Sequence, residues 1–210
     1  MEGRGSENRY FGYQGTVGVE LSDRFNVITG ADEARVGSTL GYFLKALHSL
    51  SVDEPRTTIE QEVEEYQHKF RLSRPVLQLH FPAMKMADLD HFFMHELPGV
   101  VSELGGDQGF CHGELGPWNV VITKDGNLAV IDCGDVGYYD RSKDFLARKA
   151  PLMIEAALHA YGDAPRLRGK IIVHHKAFPI VDLPYYIGKG DQKGIDGQIG
   201  EIDGTFFADP

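Results

Sequence analysis

FCHGELGPWNVVITKDGNLAVIDCGD, residues 110–135, is the stretch whose reading decides the fold. Within it, Asn119–Thr123 and Leu128–Asp132 are β-branched-rich runs, separated by Lys124-Asp125-Gly126-Asn127. An Asp-Gly pair between two such runs predicts a β-hairpin. A hairpin brings its ends together, so Glu114 and Asn119 before the first strand should converge with Asp132 and Asp135 after the second. Carboxylate and amide oxygens at one patch suit a hard cation such as Mg²⁺, which takes one or two protein carboxylates and leaves its other positions to water and phosphate oxygens. Phosphoryl transfer has that requirement.

Outward from the hairpin the periodicity turns helical. Val36, Leu40, Phe43, Leu44, Leu47 and Leu50 form the stripe of an amphipathic helix over 31–50, with Thr29 and Asp32 placed to cap it. A second helix should start at Thr57 or Thr58, where Gln61 completes a capping box. Its apolar face would carry Ile59, Val63, Tyr66 and Phe70, and its other face Glu60, Glu62, Glu64 and Glu65. Residues 75–104 read as one or two short helices interrupted at Pro82 and Pro98, and the stretch after Asp144 as helices broken at Pro151, Pro179 and Pro184. The predicted organisation is a polar lead-in over 1–30, a mainly helical α+β lobe over 31–190 and a Gly-rich tail over 191–210.

Composition narrows the partners. The 210 residues are 42% hydrophobic and 25% charged, enough for one sizeable core and too few for two full-sized lobes. Thirty-one acidic against 21 basic residues give a net charge of -10, which argues against nucleic acid as a partner. No apolar run approaches the ~18 residues of a membrane span, so no membrane partner is expected and the cytoplasm is the expected location. Cys111 and Cys133 lack CxxC spacing and read as reduced thiols. His91 and His95 sit four apart without the HExxH order, so no metal is assigned there.

His112-Gly113-Glu114, four further residues and Asn119, then Ile131-Asp132-Cys133-Gly134-Asp135 after the hairpin, resemble the H-G-D-x4-N and I-D-x-G-D motifs of aminoglycoside phosphotransferase-like kinases. LGYFLKALHSL, residues 40–50, is similar to the family's helix before its substrate-binding insertion. GDVGYYDRSKDFLA, residues 134–147, looks like its metal loop and following helix. The resemblance implies the C-terminal lobe of a protein-kinase-like fold and an ATP- and Mg²⁺-dependent transfer to a hydroxyl of a small molecule, a cationic aminoglycoside being one candidate. Position by position, it makes Glu114 the base that orients the acceptor hydroxyl and takes its proton, and Asn119 and Asp132 the Mg²⁺ ligands. His112 would orient the loop, while Asp135 and Asp144 would brace it.

The chain departs from the family's pattern at two points. Glutamate replaces the catalytic aspartate at 114, and a misplacement of about 1 Å at a reacting centre costs on the order of 100-fold in rate, so reduced activity is expected. The family's N-terminal lobe, with its phosphate-pairing strand lysine, has no counterpart. Lys45, Lys69 and Lys85 are the lysines before His112, all in or between predicted helices. Two further readings therefore stand beside the enzyme: a non-catalytic kinase-like lobe that binds a small molecule or a partner protein, and a lobe completed by a partner chain at the site of the missing one. Residues 50–110 hold 11 acidic and 5 basic residues, which suits a cationic acceptor or simply solvated helix faces. Of the nearby aromatics, Phe92, Phe93, Trp118, Tyr138 and Tyr139 are candidates for either pocket or core.

Overall fold

The structure, a computed structural model, describes residues 16–24, 27–53, 55–103, 108–145, 150–162 and 165–207. Half of the lead-in, residues 1–15, lies outside the described residues; its second half includes strand β1 (Gly18–Glu20) and the short helix α1 (Leu21–Arg24). Helices α2 (Gly30–His48) and α3 (Ile59–His80) follow. Helix α4 (Ala83–His91) runs through a π-turn at Phe92–Glu96 into α5 (Leu97–Glu103). Strands β2 (Gln108–Cys111), β3 (Val120–Thr123), β4 (Leu128–Val130) and β5 (Gly137–Asp140) surround the signature loops, and α6 (Pro151–Tyr161), α7 (Pro165–Lys189) and α8 (Gln192–Phe206) close the chain. The architecture is α+β and mainly helical. Among the described residues, only β1 and α1 precede α2, and no β-sheet nucleotide lobe stands before it.

The sheets are small and antiparallel. In one, β3 lies between β1 and β4, with Val120 opposite Val130 and Ile122 opposite Leu128. Gly126 closes the hairpin with φ of +80°, a conformation that suits glycine because it has no Cβ. In the other sheet β2 pairs with β5, Cys111 opposite Gly137 and Gln108 opposite Asp140. That pairing sets the chain before the catalytic-type motif beside the chain after the metal-type motif.

Two apolar cores flank this β region. One joins α1, α2, α6 and the start of α7 through Leu21, Val36, Leu40, Leu44, Met153, Leu158 and Leu167. The other joins α3, α4, α5, the rest of α7 and α8 through Phe70, Leu77, Leu89, Phe93, Leu97, Ile180 and Ile202. The capping box forms as expected: Thr58 Oγ1 accepts from Gln61 N–H, while Gln61 Oε1 accepts from Thr58 N–H. Thr29 stands at the N-cap of α2 without a side-chain cap bond.

Several expectations are corrected. Pro179 and Pro184 do not break their helix, and α3 runs on through Pro75 to His80, into the stretch read as separate short helices. Pro184 cannot donate to the carbonyl of Ile180, and Ser73 Oγ of α3 donates to that oxygen instead, at 2.9 Å. Pro82 caps α4, but Pro98 does not interrupt the run; beside it the helix widens to π geometry, with Leu97 N–H reaching Phe92 O. The segment expected as a Gly-rich tail forms α8, because Ile195 and Ile202 bury against the second core while Asp191 caps its start. Glu62 lies on the buried side of α3, not its solvent face, and Leu50 is exposed.

Helices α2 and α6 meet at backbone distance. A Cβ built on Gly37 would stand 2.2 Å from Met153 O, and one on Gly41 2.2 Å from Ala157 O. Gly37→Ala should therefore lower stability by about 1–3 kcal/mol through overpacking. Gly197→Ala in α8, where nothing lies within 4 Å, should instead raise it by about 0.5–1 kcal/mol. Chemical denaturation of the two variants beside the parent chain measures both.

Candidate active site

The loop from Cys111 to Asn119 is held from below by one carboxylate. Asp144, buried at the end of the turn after β5, accepts the backbone N–H of His112 on Oδ2 at 2.8 Å and that of Gly113 on Oδ1 at 3.0 Å. His48, from the last turn of α2, places Nε2 3.0 Å from Asp144 Oδ2 and Nδ1 3.1 Å from the Tyr161 hydroxyl. Gly113 takes φ of +90°, and a Cβ there would meet Asp135 O at 2.4 Å, so glycine is required between His112 and Glu114. His112 is itself buried. Its Nε2 donates to Ile131 O at 3.0 Å, tying the loop to the end of β4.

The hairpin mouth comes next. Asn119 is buried, its Nδ2 donating to Glu114 O at 2.9 Å and its carbonyl accepting from Ile131 N–H at 2.9 Å. The amide donation assigns Oδ1 as the atom left for a cation. Asp132 follows Ile131 directly, is exposed, and is the one non-glycine residue at positive φ among the described residues (φ 59°, ψ 60°). Such a conformation is uncommon outside glycine, although aspartate tolerates it, and it aims an acidic side chain where an ordinary turn would not. The backbone thus sets Asn119 beside the residue before Asp132 at the hairpin mouth, and an amide and a carboxylate oxygen are donors of the kind Mg²⁺ takes.

Glu114 and Asp135 are placed differently, on the wall of a cleft of about 240 Å³ between the signature loops, α3 and α7. The expected single patch is therefore two adjoining ones, with Glu114 joined to Asn119 through its backbone. Glu65, Tyr66, Lys69, Tyr139, Lys143 and His174 also line the cleft. Of the candidate aromatics, Tyr139 lines it, Phe92, Phe93 and Tyr138 are core, and Trp118 is exposed beside Asn119.

Beneath the cleft runs a buried polar network that sequence reading did not assemble. Lys170 Nζ donates to Asp140 Oδ2, both side chains fully buried. Asp140 Oδ1 accepts from the amide and hydroxyl of Ser142, and Asp140 N–H donates to Glu62 Oε1 at 3.0 Å. Burial pushes the Glu62 carboxyl up from its usual range, against the pull of Lys143. His174 Nδ1 lies 2.8 Å from the Tyr66 hydroxyl, and burial pushes its pKa down to about 3. In the sequence, the cue for these residues was their i, i+4 spacing: Glu62 with Tyr66, and Lys170 with His174, each pair on one helix face.

His48, Cys111 and Asp144 place ligand-type atoms within 4.8 Å of one another. Each is already engaged, the Cys111 thiol with the carbonyl of Gly109, and burial pushes that thiol's pKa far above its ordinary value. The trio acts as loop support.

A family described as the phosphotransferase enzyme family (APH) matches residues 2–168. The chain belongs to that family. No curated protein matches the sequence. Among solved structures, the phosphotransferase fold seen here is similar to a variant of aminoglycoside 2′-phosphotransferase-IIIa in complex with GDP, with 15% identity, TM-score 0.75, and 93% of this chain covering 68% of that one. It is also similar to a choline/ethanolamine kinase family protein from Mesorhizobium loti, with 16% identity, TM-score 0.64, and 93% of this chain covering 67% of that one. The macrolide 2′-phosphotransferase MphH from Brachybacterium faecium matches at 17% identity and TM-score 0.61, 90% of this chain covering 68% of that one. These likenesses are of fold, a kinase-like lobe. Among the described residues no helix is long and apolar enough to cross a membrane.

Asp144→Asn leaves one acceptor for two buried amides and should cost about 1–3 kcal/mol, and Asp144→Ala more, about 3–5 kcal/mol. In both, hydrogen exchange at the His112 and Gly113 amides should accelerate beyond the change in global stability. His174 adds a pH dependence. Because its folded pKa is depressed from 6.5 to about 3, the unfolded chain binds a proton that the native chain refuses. Stability should fall as pH drops from about 6.5 towards 3, with a slope of up to one proton. His174→Asn should remove that component, as measured by denaturant midpoints across the range.

Proposed function

We propose that this phosphotransferase moves the γ-phosphoryl group of ATP onto a hydroxyl of a small molecule seated in the cleft, with Glu114 as the base. The observation that carries this reading is the Asp144 clamp on the His112 and Gly113 amides, which fixes the backbone one residue from Glu114. Catalysis of this kind is mostly positioning and charge neutralisation, so a loop held by paired buried hydrogen bonds is what the reaction asks of the protein. Glu114 accepts the hydroxyl proton as the oxygen attacks phosphorus and the bond to the ADP oxygen breaks. Asn119 Oδ1 and the Asp132 carboxylate would hold Mg²⁺, which supplies neutralisation of the phosphate charge. His112 sets the loop against Ile131 O, and Asp144 braces it. Asp135 shares the cleft wall with Glu114, and four acidic side chains against two lysines along that lining favour an acceptor with cationic groups.

A second reading, a kinase-like lobe that binds without transferring phosphate, is favoured by two observations: the extra methylene at Glu114 and the lack of a nucleotide lobe among the described residues. The two separate by calorimetric titration of the chain with ATP, with and without Mg²⁺. Saturable Mg²⁺-dependent binding that Asp132→Ala abolishes is expected, and binding retained in Asp132→Ala would remove the metal assignment. With an acceptor in hand, Glu114→Asp should raise turnover by on the order of 10-fold or more and Glu114→Gln should abolish it. Unchanged turnover in both would assign Glu114 no part in the reaction.

A further inference from the structure

The floor of the cleft carries a feature that an acidic wall does not explain. Lys143 is nearly buried, with 15% side-chain exposure, and its ammonium stands over the Tyr66 and Tyr139 rings at 5.3 and 4.8 Å. The carboxylate of Glu62 pairs with it at 3.6 Å, beyond hydrogen-bond length, and Glu62 Oε2 has no hydrogen-bond partner. An ammonium has three donors. Here the charge meets two rings, the distant Glu62 oxygen and the field of Glu65, itself paired with Lys69, and it faces a cleft.

His174 supplies the second half. It is 1% exposed, lines the same cleft, and its Nε2 makes no hydrogen bond within the protein. Its ring is kept neutral by burial, and the hydroxyl of Tyr66, whose phenol burial holds well above its usual pKa, lies 2.8 Å from Nδ1. With the ring proton on Nε2, the tautomer the proposal below uses, that atom is a buried donor without an acceptor. Leaving such a donor unpaired costs about 1–3 kcal/mol. Lys143 is close enough for its charge to depress the basicity of His174.

We propose that the cleft floor is an anion subsite, where Lys143 Nζ and His174 Nε2–H take the carboxylate of a zwitterionic polyhydroxy acceptor whose ammonium lies against the acidic wall. This rests on the cleft being the acceptor's, as the function proposed above requires. A polycation would set ammonium against ammonium at the floor, and a neutral polyol would leave the lysine charge unused. The wall stays suited to the ammonium: Glu65 is paired with Lys69 at 2.9 Å, while Glu114 and Asp135 stand on the side of the signature loops.

The test compares D-glucosaminate with D-glucosaminitol, which differ only in carrying a carboxylate or a hydroxymethyl group, by calorimetric titration of the full chain. Glucosaminate should bind at least 10-fold more tightly. Lys143→Arg should keep the preference, and Lys143→Met should erase it. Because Lys143→Met leaves buried Glu62 without its counter-ion, the double variant Lys143→Met/Glu62→Gln is measured beside it and should erase the preference with the fold intact. Equal affinities, no glucosaminate binding, or a preference that survives in the folded double variant would overturn the subsite. ATP and Mg²⁺ are titrated separately. A carboxylate preference without nucleotide binding would leave the subsite standing and overturn the phosphotransferase reading, whereas nucleotide binding without the preference would do the reverse.

Discussion

Two backbone amides fixed by one buried carboxylate are the constraint on which the rest of the molecule depends. Asp144 holds the N–H groups of His112 and Gly113, and a buried carboxylate is tolerable only when its oxygens are fully used. His48 completes that shell from α2, and α2 is locked to α6 by the Gly37 and Gly41 contacts. The position of Glu114 is thus set through a chain of contacts that starts at a helix crossing on the far side of the lobe. Removing Asp144 or His48 leaves buried polar groups without a partner, a cost that holds the loop to this arrangement.

The same logic explains the architecture around it. An all-apolar interior would give one merged core, yet the two cores meet across a polar seam of Glu62, Asp140, Ser142, Lys170 and His174. Helix α7 crosses that seam: Leu167 and Ile171 belong to the first core, Ala177 and Ile180 to the second, and Lys170 and His174 lie between. Buried ion pairs contribute little net stability but are costly to break singly. The seam therefore fixes the register of α7 against the strands, and with it the cleft that lies directly above.

Much of this was legible in the sequence, for identifiable reasons. The hairpin, the capping box at Thr58 and the stripe of α2 are local patterns whose cause lies within about ten residues, and the family resemblance carried the lobe and the loop residues. What was not legible depends on distant partners. Proline at 184 reads as a helix breaker until Ser73, more than a hundred residues earlier, donates to the freed carbonyl. Glu62 reads as solvated among four glutamates until Asp140 and Lys143 are seen to face it. The glycines of α8 read as a tail because nothing in that stretch shows that Ile195 and Ile202 find a core. The hairpin joins the Asn119 carbonyl to the amide of Ile131, next to Asp132, whereas the position of Glu114 on a separate wall follows from the φ of Gly113 and the fold of α3 and α7.

Glutamate at 114 can be weighed against that geometry. A longer side chain carries its carboxylate one C–C bond beyond the place an aspartate would give it, and a backbone fixed by Asp144 does not take up that displacement. Tyr66, Tyr139 and Lys143 line the same cleft as Glu114 and Asp135. In the reaction proposed above the backbone hydrogen bonds to Asp144 supply precision, and side-chain length alone sets where the Glu114 carboxylate falls.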